Sequence, residues 1–258
     1  MGLHLFLSPH LDDAVLSCGG LIHRLARTGE RVIVVTAMAG EPPTTLPDSP
    51  ALQAKRWPGG DARRSEDALA AQAVRAQVYH LALAESVFRQ TICGAGDWIA
   101  LYPTLDSLFD GIDEADDARV TLFETRLPFP EVIMIYAPLC VDEHVDHRLV
   151  RDWALVLTGS QDAPPLKFYE EYPQARSKAA LQRALAFYRR ELPALTLASE
   201  VITLDPADLA AKLRAMGCYR SHLHILWHDL AEMEQVTREH LLAVGDGTPA
   251  ERFWRVVR

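Results

Sequence analysis

An imidazole and two adjacent carboxylates stand near the start of the chain, in Ser8-Pro9-His10-Leu11-Asp12-Asp13. A second dense cluster, Asp142-Glu143-His144-Val145-Asp146-His147, lies far along it. His, Asp and Glu are the residues that hold a catalytic zinc, usually as three protein ligands with one position left for water. His10 and Asp13 are near enough to bind one ion together, and His147 can supply the third ligand. His144 and His147 are three apart and share a face on a helix, so one can ligate while the other points at the substrate. Asp12 adjoins a ligand and is placed to take a proton from metal-bound water, whose pKa falls from about 16 to around 7. Each cluster also has an ordinary reading: Asp-Asp before a helix is a common N-cap, and His-x-x-His is commonly a solvated pair. What favours a composite metal site is that both clusters follow apolar runs, Leu3 to Leu7 and Val132 to Ala137. In an open α/β sheet, ligands bind at the carboxyl ends of strands.

The elements that must position these residues alternate along the chain. A first strand ends at Ser8, and a helix runs from near Asp13 to Thr28, closed by Gly29. Arg31 to Thr36 reads as a second strand. A long proline-rich connection, Gly40 to Asp61, carries Pro42, Pro43, Pro47, Pro50 and Pro58, and a loop of that length is usually either a functional lid or disordered. Arg63 to Gln77 reads as a helix, Val78 to Leu83 as a strand and Trp98 to Phe109 as another helix. Val132 to Ala137 reads as a buried strand, His144 to Leu157 as a helix and Leu166 to Glu170 as a short late strand. From about Ser177 to Val244 the pattern is mostly helical. Such alternation predicts one α/β domain over residues 1–258 with a mainly parallel sheet covered on both faces.

Composition narrows the function. The chain has 258 residues, is 49% apolar and carries a formal charge of −9, which argues against a general nucleic-acid binder. No stretch is apolar for long enough to span a bilayer, and no basic region precedes the N-terminal apolar run, so a cytoplasmic protein without a membrane span is expected. Cys18, Cys93, Cys140 and Cys218 lack paired spacing and read as reduced thiols, with Cys18 and Cys140 packing the core.

Pro9-His10-Leu11-Asp12-Asp13, followed by Gly19-Gly20, resembles the His-Pro-Asp-Asp-Glu signature of the PIG-L/LmbE-like zinc-dependent N-acetylglucosamine deacetylases. His144-Val145-Asp146-His147 resembles their second signature, His-x-Asp-His. Arg63-Arg64-Ser65-Glu66, Glu85-Ser86-Val87-Phe88-Arg89, Tyr169-Glu170-Glu171-Tyr172-Pro173 and Glu251-Arg252-Phe253-Trp254-Arg255 are similar to further family segments in the same order. The resemblance implies a Rossmann-like three-layer αβα fold. It also implies a zinc site of His10, Asp13 and His147, with Asp12 as general base and His144 at the oxyanion or leaving amine. Arg63, Glu85 and Arg89 would lie near the sugar. The function expected is removal of an N-acetyl group from an amino sugar or its conjugate, a small-molecule substrate, with homo-oligomerisation left open. Two departures stand out: Leu11 replaces the signature proline and Ala14 its glutamate, neither of them a ligand in the family pattern. For Arg63 a helix-surface pair with Glu66 or Asp67 is an equal alternative, and for Tyr169 and Glu170 so is a structural role at a strand end.

Two other functions use the same sequence. His10-x-Asp12 with His147 also spells a two-histidine, one-carboxylate iron site, usually housed in a double-stranded β-barrel, and Fe2+ is an alternative occupant of the deacetylase site. A deacetylase-like binding protein without turnover is the other reading, supported only by Ala14.

Overall fold

The computed structural model describes residues 2–46, 48–54 and 60–257. Nine strands run in chain order as β1 (Leu3–Ser8), β2 (Arg31–Thr36), β3 (Gln77–His80), β4 (Gln90–Ile92), β5 (Trp98–Ala100), β6 (Val132–Pro138), β7 (Leu166–Tyr169), β8 (Thr196–Thr203) and β9 (Ala250–Val257). The helices are α1 (Asp13–Arg27), α2 (Pro50–Ala54), α3 (Gly60–Ala73), α4 (Ser107–Asp110), α5 (Ala118–Glu124), α6 (Val145–Leu157), α7 (Lys178–Glu191), α8 (Pro206–Met216), α9 (Arg220–Leu226) and α10 (Leu230–Val244).

Seven strands form one sheet in the order β3-β2-β1-β6-β7-β9-β8, parallel from β3 through β7, with β9 antiparallel to both its neighbours. Alternation along each strand sends side chains to two cores. Phe6, Val34, Tyr136 and Phe253 meet residues of α1, α3, α8 and α10 on one face. Leu5, Leu7, Ile135 and Phe168 meet α5, α6 and α7 on the other. This is the three-layer αβα arrangement expected, and it is not the double-stranded β-barrel that the iron-oxygenase reading needs.

The chain leaves β1 toward β2 on one side, whereas β6 lies on the other. The crevice between the ends of β1 and β6 is therefore the switch point where an open α/β sheet binds ligands. α1 is held tightly there. Further along the helix, a Cβ on Gly20 would lie 2.5 Å from Leu204 Cδ1, so a larger residue would push that side chain aside.

Several expected elements differ. Trp98 to Phe109 is not a helix: Trp98–Ala100 pairs with Gln90–Ile92 as a separate two-stranded ribbon, and only Ser107–Asp110 is helical. Pro103 interrupts the apolar spacing that mimicked a helix. The segment Gly40 to Asp61 contains α2, and α3 starts at Gly60 rather than Arg63; Pro47 and Pro58 lie outside the described residues. The region from Ser177 to Val244 carries α7 to α10 and also β8, which pairs with β9 beyond it to complete the sheet.

Candidate metal centre

The β1–α1 turn organises itself locally. Asp12 occupies the N-cap position of α1, yet its side chain caps nothing. Ser8 Oγ instead accepts the Ala14 N–H at 3.0 Å and donates to the His10 carbonyl at 2.7 Å. Asp13 Oδ2 accepts the His10 N–H at 2.8 Å. The plain capping reading of Asp-Asp therefore fails for Asp12, whose carboxylate is left facing the cavity.

The β6–α6 turn is held from outside. Cys140 and Glu143 have φ of 68° and 63°, left-handed values that disfavour side chains. Glu171, just beyond β7, accepts the N–H groups of Cys140 at 2.6 Å and Val141 at 3.2 Å. His144 caps α6, its Nδ1 accepting the Asp146 N–H at 3.2 Å, so a neutral ring carries its proton on Nε2.

Three groups from the two turns converge. Asp13 Oδ2 lies 3.2 Å from His10 Nδ1 and 3.4 Å from His147 Nε2, and the three residues can place one donor atom each within 4.8 Å of one another. The far nitrogen of each imidazole is held by a buried carboxylate: His10 Nε2 by Asp146 at 2.9 Å, and His147 Nδ1 by Glu171 at 3.2 Å. This is how metal-binding histidines are oriented, with the near lone pair free for the ion. Two other acid/histidine groupings occur, around Asp146 and around Glu171. Neither Asp146 nor Glu171 lines the cavity, whereas His10, Asp13 and His147 all do. The residues present fit a divalent cation held by two histidines and one aspartate, with open coordination toward the cavity.

Electrostatics agree with the geometry. Burial would lower the His10 pKa, but hydrogen bonds to Asp13 and Asp146 raise it to about 9. Against burial, His147 and His10 hold the Asp13 carboxyl well below its usual range. Burial and the neighbouring Asp13 charge lift Asp12 to about 7. Two of the gathered groups thus favour the charged states that a cation would replace or exploit, while Asp12 sits at the balance suited to a proton acceptor.

The cavity, about 460 Å³, is lined by these groups with His144 and Arg63, and also by the apolar or aromatic Leu16, Phe109, Tyr172, Ile225 and Leu226. Arg63 is buried and ion-pairs with Glu85. Glu66 binds Ser221, and Asp67 binds Tyr219 and His80. Glu85 and Arg89 do not line the cavity. Arg89 pairs instead with Asp146 and, at 3.3 Å, with Asp116. Tyr169 and Glu170 are structural: the Tyr169 hydroxyl donates to the Leu7 carbonyl, and Glu170 accepts from Trp254.

Sequence reasoning missed Glu171 as a support of His147, and missed His222, which lines the cavity with Nδ1 3.9 Å from Asp12. Glu171 had a signal: it follows β7, the next strand ending on the same sheet edge. His222 sits on α9, which no spacing ties to the clusters.

Residues 5–157 match the family described as PIG-L: GlcNAc-PI de-N-acetylase. The chain belongs to this family. It is 29% identical over 192 residues to a 2'-N-acetylparomamine deacetylase of Niallia circulans, an alignment covering 66% of each protein and so just under two thirds of that relative. Among solved structures, a deacetylase of the teicoplanin biosynthesis pathway matches with a TM-score of 0.76 at 24% identity, covering 99% of this chain and 98% of the other. A zinc-inhibited form of teicoplanin deacetylase matches with a TM-score of 0.71 at 25% identity and the same coverage. Like these structures, this PIG-L member has a mostly parallel sheet flanked by helices. Among its described residues no helix is long and apolar enough to cross a membrane.

Proposed function

We propose that this chain is a zinc-dependent N-deacetylase that removes an acetyl group from an amino-sugar conjugate. The carrying observation is the convergence of His10, Asp13 and His147 at the cavity floor, each imidazole oriented by a buried carboxylate, with Asp12 and His144 beside them. The relatives named as deacetylases of paromamine and teicoplanin compounds support the substrate class. Zinc held by these three residues would supply polarisation of the acyl oxygen and a more acidic water.

The protein's own groups do the rest. Asp12 accepts the proton of the attacking water and returns it to the departing amine. His144, with Nδ1 engaged by the backbone, offers its Nε2 proton to the oxygen that gains charge. Arg63, anchored by Glu85, reaches the sugar from the cavity wall. Arg89 acts at one remove, holding Asp146 and through it His10. The apolar wall accommodates the remainder of the conjugate. Ala14, which replaces the signature glutamate, is fully buried among core residues and leaves all of these groups in place.

The test is metal content of the purified protein coupled to acetate release from a panel of N-acetylated amino-sugar conjugates, with His147→Ala alongside. A stoichiometric zinc ion, lost in the variant together with acetate release, is the expected result. A protein that binds no metal even after reconstitution, or a variant that keeps turnover, overturns the reading.

A further inference from the structure

A second pocket, of about 250 Å³, opens behind the β6–α6 turn and is lined by Arg148 and Arg151 of α6 and Arg183 and Arg190 of α7. Helical spacing makes this a built surface. Arg148 and Arg151 are three apart on one helix, while Arg183, Phe187 and Arg190 recur along one face of the other. Such a concentration of guanidinium groups is unexpected in a chain with net charge −9.

Among the described residues, few carboxylates offset this charge. Arg151 is only 6% exposed, and its guanidinium lies over the Phe187 ring at 4.4 Å. Its Nε donates to Asp152 at 2.8 Å, its one carboxylate partner among the described residues, and the residue lines the pocket. Arg183 makes no ion pair among the described residues. Arg190 pairs with Glu191 on open surface, where such pairs contribute little. Only Arg148 is firmly engaged, donating to the Glu143 carbonyl at 2.7 Å and carboxylate at 3.0 Å, and to the Phe109 carbonyl at 3.1 Å. Glu143 is the single acidic residue of the lining.

We propose that this arginine pocket binds a small phosphorylated anion, at a site separate from the catalytic cavity. Planar guanidinium groups bind phosphoryl oxygens in bidentate fashion, and a buried, ring-stacked arginine is held in place for that contact in advance. The volume accommodates a phosphoryl group with a small organic remainder. The bound anion would lie against the back of the segment that carries His144, because Glu143 and Arg148 belong to both neighbourhoods.

Calorimetric titration of the full, metal-loaded chain with inorganic phosphate, pyrophosphate and a nucleoside diphosphate tests this. Binding of at least one probe with a Kd at or below about 1 mM is expected, and the tightest probe distinguishes free phosphate from a phosphate ester as the source. Arg183→Gln combined with Arg190→Gln should weaken binding by about tenfold while leaving acetate release and the far-UV spectrum unchanged. Ala186→Leu, which fills the pocket without altering charge, should weaken it as well. His147→Ala should bind as the parent does. The proposal is overturned if no probe binds, if the arginine variant binds as tightly as the parent, or if His147→Ala abolishes binding, which would place the anion at the metal centre.

Discussion

The two turns that build the centre reach the same sheet edge by opposite means. In the β1–α1 turn the side chains that shape the backbone act locally, Ser8 on Ala14 and His10, and Asp13 on His10. The distant contacts fall on the His10 ring, held by Asp146, and on the Ser8 and Pro9 carbonyls, which accept from Ala37 and Met38. In the β6–α6 turn the ties come from afar. Glu171 holds the backbone of Cys140 and Val141 and the His147 ring, while Arg89 and the Ser86 N–H hold Asp146. The first turn draws its backbone shape mainly from its own side chains, while its His10 ring is oriented by Asp146. The second takes its geometry from the completed fold, including two left-handed residues that it could not maintain alone.

This contrast can be broken at three levels. The largest effect belongs to Asp12, which neither turn uses as a tie. Asp12→Asn should lower acetate release by about 10²–10⁴-fold with metal content unchanged, measured by steady-state kinetics and elemental analysis; full activity would remove Asp12 as the proton acceptor. Next is Glu171→Gln, which loosens the distant support of His147. Metal affinity should fall by about 10–100-fold in competition with a chelator, while the isolated change at Asp12 leaves it untouched. The smallest is Ser8→Ala. It orphans the buried Ala14 N–H and should cost about 1–2 kcal/mol in denaturant unfolding, with the loaded enzyme still turning over. A large loss of metal from Ser8→Ala would mean that the first turn is less self-sufficient than its hydrogen bonds indicate.

The same contrast explains what could be read from the sequence. His10, Asp12, Asp13, His144 and His147 are legible because each stands within a few residues of an apolar strand, and the strand end is where an α/β sheet places ligands. The parallel part of the sheet is legible for the same reason, since β1, β2 and β6 are continuous apolar runs. Glu171 is harder to see, since its role depends on β7 lying beside β6, a fact of topology. His222 reaches Asp12 only once α9 has folded over the cavity. β8 and β9 are half-exposed strands whose apolar content is diluted by Glu200, Glu251 and Arg252, so their pairing is written in each other rather than in either alone. Arg89 is different again: its segment stands out in the sequence, and its guanidinium pairs with Asp146 and Asp116, contacts that only the fold supplies.

β9 is the last strand in chain order, yet it lies within the sheet, between β7 and β8. From there the Glu251 carboxylate accepts the N–H groups of Gly20 at 3.0 Å and Leu21 at 2.9 Å, inside the helix that follows the first turn, and pairs with Lys212 of α8 at 2.7 Å. The helix that follows the segment bearing His10 and Asp13 is therefore clamped by a residue 231 positions further along the chain. Contacts of that sequence separation form late. A chain lacking β9 would display both acid/histidine clusters with an open sheet edge at β7, a strand edge prone to pairing with other chains until β9 is inserted.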